Sequence, residues 1–390
     1  MEPLLPEDRD GRLDVLALEL IRKAERLGGR LHPVTRRTVA GLVRSMNSYY
    51  SNLIEGHRTT PADIEAALQR KFSRNSTHAA LQQEHLAHVE VQNAMETRLA
   101  SESALGICSA AFIAWLHHEF FRRLPESLCQ SPDLQGRVKQ VVPGQIRNSE
   151  VVVGRHVAPA SANLGAFLQR FAEGYGPLVN DRPASVLAAA AAHHRLAWMH
   201  PFLDGNGRVV RLFSQAWFER AGLASGGLWT LARGLARQQP HYQSALAGAD
   251  EPRRHDFDGR GLLTERGLTE FCEFFLRTAI DQVAFMDGLL ALDTMLKRIQ
   301  GFAARQQDEG QLPAATGLVL REVFLRGEIA RGEVARIAST SARTAQKITG
   351  QLLRRGLLHS DSPKGPVRFG VPASAAGAYF PNLFPAGAPG

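Results

Sequence analysis

Through the first 300 positions apolar residues return every three or four places, the period of an amphipathic helix, which predicts a mainly α-helical chain. Leu13, Val15, Leu16, Leu20 and Ile21 set the pattern. A long helix is predicted over 34–54 and closed by Gly56, because glycine takes the positive φ of a helix C-terminus at no steric cost. Thr60, Pro61 and Asp63 restart a helix as cap, first residue and first-turn acid. The same spacing predicts helices over 78–98, 107–123, 183–198, 208–221 and 269–297.

Some stretches depart from this pattern. Positions 142–159 are bounded by Pro and Gly and carry the β-branched run from Val151 to Val153, which predicts a β-hairpin turning at Asn148 and Ser149. An isolated hairpin is marginally stable, so it is expected to lie on the helical body. Positions 304–313 are polar and read as a linker. Beyond them, apolar periodicity predicts helices over 316–325, 331–338 and 343–355, the last with Ala345, Ile348 and Leu352 inward. LLHSD, SPKGP and VRFGV then suit strand, tight wing and strand. Two helices joined by a short turn and followed by a small hairpin form the winged helix-turn-helix pattern. Positions 373–390 are rich in Ala, Pro and Gly and are expected to be poorly ordered, except that Tyr379, Phe380 and Phe384 can dock.

Charge adds one feature. The formal net charge is +8, and between positions 312 and 370 there are 10 Lys/Arg against 4 Asp/Glu. This predicts either a solvated basic face or an anionic partner such as nucleic acid. Arg343, Thr344, Gln346 and Lys347 lie on the exposed half of the third helix, where side chains contact DNA or another protein. The cysteines, Cys108, Cys129 and Cys272, are far apart and form no metal pattern. No apolar run approaches the roughly 20 residues of a membrane span, and the acidic N-terminus is unlike a secretory leader. A reducing, cytoplasmic setting without membrane attachment is therefore expected.

The densest chemistry lies at 200–211, HPFLDGNGRVVR. A glycine-flanked turn entering a helix presents unsatisfied backbone N–H groups and the positive end of the helix dipole, which suits phosphate. Gly205 and Gly207 let the backbone approach a ligand, and Asn206 can adopt a left-handed conformation and offer an amide donor. Arg208 and Arg211, three apart, leave one face of the helix and can bind further phosphates. Asp204 is a hard oxygen ligand suited to Mg²⁺ held jointly with substrate phosphates. His200 titrates near neutral pH when unperturbed, which suits a general base. His193 and His194 invite a zinc reading, but no carboxylate or cysteine spacing supports it. His117, His118 and Trp115 read as packing or surface residues.

HPFLDGNGRVVR resembles the Fic family motif, HPFx(D/E)GNGRxxR, at every fixed position. The predicted hairpin is similar to the family's target-aligning flap, with Gln145, Ile146, Arg147, Val151 and Val152 as its docking residues. Positions 232–246 are similar to the region that closes over adenine, where the family usually carries Asn and a Tyr pair; here Gln238, Tyr242 and Gln243 stand instead, so base preference is open. The resemblance implies a mainly α fold, a Fic helical core with a β-hairpin flap plus a C-terminal winged helix. Its expected segments are 1–104, with an inhibitory helix at 35–56; a core at 105–250; a connector at 251–311; the winged helix at 312–372; and a tail at 373–390.

The activity implied is adenylylation: a protein hydroxyl attacks the α-phosphate of ATP with Mg²⁺, and pyrophosphate leaves. His200 would be the base and Asp204 the metal ligand. Asn206 and the Gly205 and Gly207 amides would stabilise the transferred phosphoryl group, Arg208 would meet the β-phosphate and Arg211 the γ-phosphate. SNLIEG, positions 51–56, resembles the family's inhibitory pattern (S/T)xxxE(G/N); Ser51, Glu55 and Gly56 are its fixed residues, and Glu55 would pair with Arg211 in place of phosphate. The implied partners are ATP, a protein target that includes the chain itself, and a second copy as homodimer. Removal of AMP, with Glu55 orienting a water, and a nucleotide-sensing DNA-binding regulator stand as alternatives. A kinase-like branch is disfavoured by the intact GNGR.

Overall fold

A computed structural model describes residues 1–132, 136–154 and 156–384. It opens with α1 (Arg12–Gly28), α2 (Pro33–Ile54), α3 (Pro61–Leu68), α4 (Ser76–Ser101) and α5 (Ala110–Phe121). Gly56 follows α2 at φ 87, and its amide donates to the Leu53 carbonyl, so the helix stops where the sequence predicts. Thr60 and Asp63 form a reciprocal capping box at the start of α3.

After α5 come two small antiparallel hairpins, β1 (Gln130–Pro132) with β2 (Val138–Gln140), and β3 (Val152–Val153) with β4 (His156–Val157). The second corrects the expected register. Val152 pairs with Val157 and Val153 with His156, so the chain reverses between Val153 and His156, with Gly154 at φ 61, and Asn148 and Ser149 are outside the turn. Positive φ at glycine permits that reversal, whereas Asn148 and Ser149 lie beside Arg147, whose side chain binds the Ser149 carbonyl. The sequence pattern does not predict the first hairpin; its strands are three residues each, too short to register as period-two alternation.

The core continues with α6 (Leu164–Tyr175), α7 (Ala184–Met199), α8 (Asn206–Arg220), α9 (Leu231–Arg237), α10 (Gln239–Asp250), α11 (Glu265–Leu289) and α12 (Leu292–Asp308). The single helix expected over 269–297 is two, broken between Leu289 and Leu292, where Arg298 donates to the Leu289 carbonyl. Half of the expected linker belongs to α12, and the rest is held: Arg355 and Gln351 donate to Gln306 and Gln311. α1 packs along α11 and α7, so the N-terminal helix and the connector share one continuous core with the central helices. Trp217, Trp229, Phe171, Phe213 and Tyr175 fill its middle. Among the described residues no helix is long and apolar enough to cross a membrane.

The C-terminal unit has α13 (Thr316–Arg326), β5 (Glu328–Ile329), α14 (Glu333–Ile337), α15 (Ala342–Arg354), β6 (Leu358–His359), β7 (Val367–Phe369) and α16 (Ala373–Tyr379). The sheet order is β5-β7-β6, all antiparallel. The helices and the β6–β7 hairpin follow the order that the sequence predicts, with one extra strand, β5. The tail is more ordered than expected through residue 384: α16 buries Ala375 and Tyr379, and Phe380 and Leu383 follow them inward. Positions 385–390 of the expected tail lie outside the described residues. The Tyr50 hydroxyl donates to the Leu383 carbonyl, and Tyr49 meets Phe384 edge-on, so the tail docks on α2.

Tyr379 stacks on Phe369 and meets Phe302, yet its hydroxyl has no partner among the described residues. Tyr379→Ala is expected to cost about 3–5 kcal/mol, the range for emptying an aromatic site. Tyr379→Phe removes an unpaired polar group and is expected to leave stability unchanged or raised. Urea unfolding of both variants checks the contrast.

Candidate active site

Residues 200–211 run from the end of α7 through a tight loop into α8. His200 ends α7 in a left-handed conformation (φ 47, ψ 61), and Gly205 enters α8 at φ 79. A methyl group at Gly205 would strike the Phe121 ring, so glycine is required there by both φ and space. This corrects the expectation for Asn206: glycine supplies the left-handed turn, and Asn206 is the first residue of the helix. The Asn206 side chain accepts from the Phe202 amide at 2.9 Å and donates to the Phe202 carbonyl at 2.8 Å. It closes the loop on itself.

Other groups brace the same loop. His117, read from sequence as packing or surface, stacks between Phe121 and Phe202 with its Nε2 at 3.2 Å from the Asp204 carbonyl. Its Nδ1 accepts from the Gly144 amide at 2.8 Å, and burial pushes its pKa down to about 3, so the ring stays neutral. Arg147 corrects the flap prediction. It is buried, and its guanidinium donates to the His200 carbonyl at 2.7 Å and to the Ser149 and Pro159 carbonyls. It ties the hairpin segment to the end of α7 and does not face outward. Val151 is buried too; Gln145 and Val152 are exposed, Ile146 packs against the core, and Val153 and Val157 add apolar surface that the sequence reading missed.

His200 also differs from expectation. Burial, then the nearby charges of His156 and Arg147, lower its pKa to about 4, so it is a neutral base at pH 7 and does not titrate there. His156 on β4 is 6.4 Å away ring to ring. Its Nδ1 pairs with Asp250 at 3.0 Å, and Asp250 also meets His194 at 3.1 Å. This network accounts for His194 without a metal. His193 bonds to Ser214 and to the Tyr242 hydroxyl. Tyr242, expected beside a nucleotide base, is 4% exposed and stacked on Phe274, whereas Gln238 is exposed at the break between α9 and α10.

The arginines define an anion cradle. Arg211 Nε donates to Ser51 Oγ at 2.9 Å, and its Nη2 donates to the Ser51 carbonyl at 2.9 Å and to Glu55 Oε1 at 2.5 Å. Glu55 rests against the first turn of α8: a methyl group at Gly207 would run into its carboxylate. Burial alone would raise the Glu55 pKa, but Arg211 and then Arg208 hold it below the usual value, so the carboxylate is ionised. Arg208 pairs with the fully buried Glu84 and lies 3.5 Å from Asp204, over the Phe120 and Phe121 rings. Its Nε is buried with no partner among the described residues. Glu84 does not stand out in the sequence, since one carboxylate in a helical run carries no local signal.

Residues 107–217 match the Fic/DOC family. The chain carries a Fic domain. A protein adenylyltransferase Fic from Drosophila willistoni is 38% identical over 87 residues, 22% of this chain and 18% of that relative. The match thus spans less than a fifth of the relative's own length. In fold, the chain is similar to a Fic family protein from Desulfovibrio desulfuricans G20, with a TM-score of 0.51 and 17% identity over 92% of this chain and 97% of the other. A Fic-domain-containing signalling protein from Bacteroides thetaiotaomicron VPI-5482 gives 0.53 and 19% over 70% and 95%. The loop and both arginines of this Fic domain meet carboxylates that lie upstream of it, Glu84 on Arg208 and Glu55 on Arg211.

The His156–Asp250 pair has a pH signature. Burial alone would lower the His156 pKa, but the Asp250 bond overrides it and raises the value. The stability drawn from the pair is full below the unfolded His value of about 6.5 and is lost as pH rises through the higher folded value. The melting-temperature difference between wild type and Asp250→Asn is expected to shrink as pH rises from about 6 to 9. NMR titration is expected to show the His156 pKa falling in the variant.

Proposed function

We propose that the chain is a protein adenylyltransferase that moves AMP from ATP to a hydroxyl side chain of a protein and is held inactive by Glu55. The observation that carries this reading is the Glu55 carboxylate seated on Arg211 against the first turn of α8, beside Gly207. That spot combines a helix N-terminus with a buried guanidinium, and a phosphate entering it meets the same groups.

With Glu55 displaced, Arg211 loses its carboxylate partner and can take the γ-phosphate while Ser51 still holds it, with Arg208 three residues earlier on α8. The neutral His200 accepts the proton of the target hydroxyl as its oxygen bonds to the α-phosphorus and the bond to pyrophosphate breaks. The N–H groups at the start of α8 receive the charge that develops on the phosphoryl oxygens. Asp204 has a partly exposed carboxylate, and no cluster of three or more His, Cys, Asp or Glu able to hold a metal occurs among the described residues. That fits Mg²⁺ held by one carboxylate together with substrate phosphates, where it would neutralise phosphate charge. Val152, Val153 and Val157 on the exposed hairpin offer an apolar edge along which an extended target segment can lie.

Incubation of Glu55→Gly with Mg·ATP is expected to add the mass of AMP to the chain, seen by intact-mass spectrometry, while wild type gains little. His200→Ala in that background should lose about 10²–10⁴-fold in rate, the usual contribution of a general base. Equal incorporation by wild type and Glu55→Gly would dismiss the inhibitory role of Glu55.

A second activity rests on the winged unit. Glu333 neutralises Arg326 and Arg336, and Glu328 and Asp361 neutralise Arg368. Arg343 and Lys347 on α15 are exposed and make no ion pair among the described residues, beside exposed Thr344 and Gln346. Arg343 and Lys347 thus place two positive charges on one exposed helix face, which suits duplex DNA. Fluorescence anisotropy with a labelled duplex is expected to show salt-dependent binding whose log–log slope falls by about one for each of Arg343→Glu and Lys347→Glu. A wild-type chain that binds no duplex at low salt ends this reading.

A further inference from the structure

Glu84 has no solvent exposure, and its two oxygens are divided between two parts of the molecule. Oε1 pairs with Arg208 on α8. Oε2 lies 2.6 Å from His57 Nδ1, in the strap two residues beyond Glu55. The next residue of α4 grips the same strap from its other end. His85 Nδ1 lies 2.9 Å from Ser48 Oγ near the end of α2, and its Nε2 lies 2.6 Å from Thr59 Oγ1. Glu84 and His85 thus hold the chain on both sides of Glu55.

We propose that Glu84 is a positioning residue for Arg208 and, through His57, the anchor that ties the Glu55 strap to it. This rests on the proposed function for what Arg208 binds, but the anchoring of the strap stands independently of it. The physical case begins with Arg208. The residue is 6% exposed and its guanidinium cannot lose its charge, so its direction is set by whichever buried anion meets it. Glu84 takes one terminal nitrogen and leaves Nε unpartnered on the remaining edge, with Asp204 at 3.5 Å from the other terminal nitrogen. Aromatic faces at 5.1 and 5.8 Å flank the group and limit its swing. A carboxylate buried this deeply is retained by its two partners: burial alone would raise its pKa, and the His57 bond and Arg208 lower it. The same bond raises the His57 pKa, favouring the charged ring that completes the link.

The arrangement couples two events. Arg208 and His57 share one carboxylate, so loosening the strap removes one of the two charges that hold Glu84, and turning Arg208 removes the other. Arg211 is linked to the same strap by Glu55, so both arginines of the cradle are tied to a segment of under ten residues.

The test separates the parts. Binding of the non-transferable analogue α,β-methylene-ATP with Mg²⁺ is measured by calorimetry for Glu55→Gly and Glu55→Gly/Glu84→Gln. Amide exchange over 52–59 is measured for wild type, Glu84→Gln and His57→Ala. Expected are at least tenfold weaker analogue binding on adding Glu84→Gln, and at least tenfold faster exchange confined to 52–59 in both single variants, with α7 and α11 still protected. Analogue binding within twofold of the parent overturns the positioning role; unchanged exchange at 52–59 overturns the anchor. If Glu84→Gln loses protection throughout, His57→Ala alone decides the anchor, because His57 is only partly buried. If the Glu55→Gly parent binds no analogue, the proposed function fails, and exchange confined to 52–59 still decides whether the anchor exists.

Discussion

Arg211 carries a charge it cannot lose into a place that leaves it 5% exposed, and such a cation must be answered by acceptors. Three acceptors on the last turn of α2 answer it: the Ser51 hydroxyl, the Ser51 carbonyl and the Glu55 carboxylate. The rest of the site is built around that requirement. α2 must end where Glu55 reaches the first turn of α8, so a positive-φ residue is needed next, and Gly56 supplies it. The strap must then turn back over α4, where His57 and Thr59 find Glu84 and His85.

The loop between α7 and α8 obeys a related rule: buried polar groups are closed on one another before anything is offered to a ligand. Asn206 satisfies the Phe202 backbone, His117 braces the Asp204 carbonyl, and Arg147 binds the carbonyl of His200. Each of these side chains is rigid because it is saturated or nearly so. On the proposed reading the groups left over serve a Mg²⁺-bound phosphate: the helix N-terminus at Gly207 for the anion and the partly exposed Asp204 carboxylate for the metal. A preorganised cradle has this character, since donors already fixed in place need not be reorganised when charge arrives.

What was legible in the sequence was whatever is written locally. The helix stop at Gly56 and the restart at Thr60 rest on backbone chemistry within four residues, and both stand in the structure. The order of helices and strands in the C-terminal unit was legible because its helices have strong periodicity and the segment between β6 and β7 is marked by Pro and Gly. Contacts between distant segments were not legible. Glu84 to Arg208, His57 to Glu84 and Arg147 to the His200 carbonyl join residues 124, 27 and 53 positions apart, and none of these side chains differs in type from an ordinary surface residue. The misplaced hairpin turn has the same origin. Asn148 and Ser149 are good turn residues, but the buried Arg147 beside them fixes that backbone through tertiary bonds, and the reversal passes to Gly154.

The grip on Arg211 is unequal, and this bears on how the cradle can open. Upstream of Ser51, α2 is set in the core by Val39, Val43, Met46 and Tyr50, and the tail braces it through the Leu383 carbonyl. Undocking that helix would expose a large apolar surface. Glu55, by contrast, is the helix C-cap, with about a third of its side chain exposed. A glycine and a polar strap join it to α3. Rotation of one side chain, or fraying of one turn, is enough to withdraw the carboxylate while both Ser51 acceptors stay on Arg211. On the proposed reading the arginine would then meet the γ-phosphate with its orientation already set, and the contest would be between one tethered carboxylate and a more highly charged phosphate at the same nitrogen. Such a contest can go either way with nucleotide concentration and with the state of the strap, and that is what a reversible inhibitory contact requires.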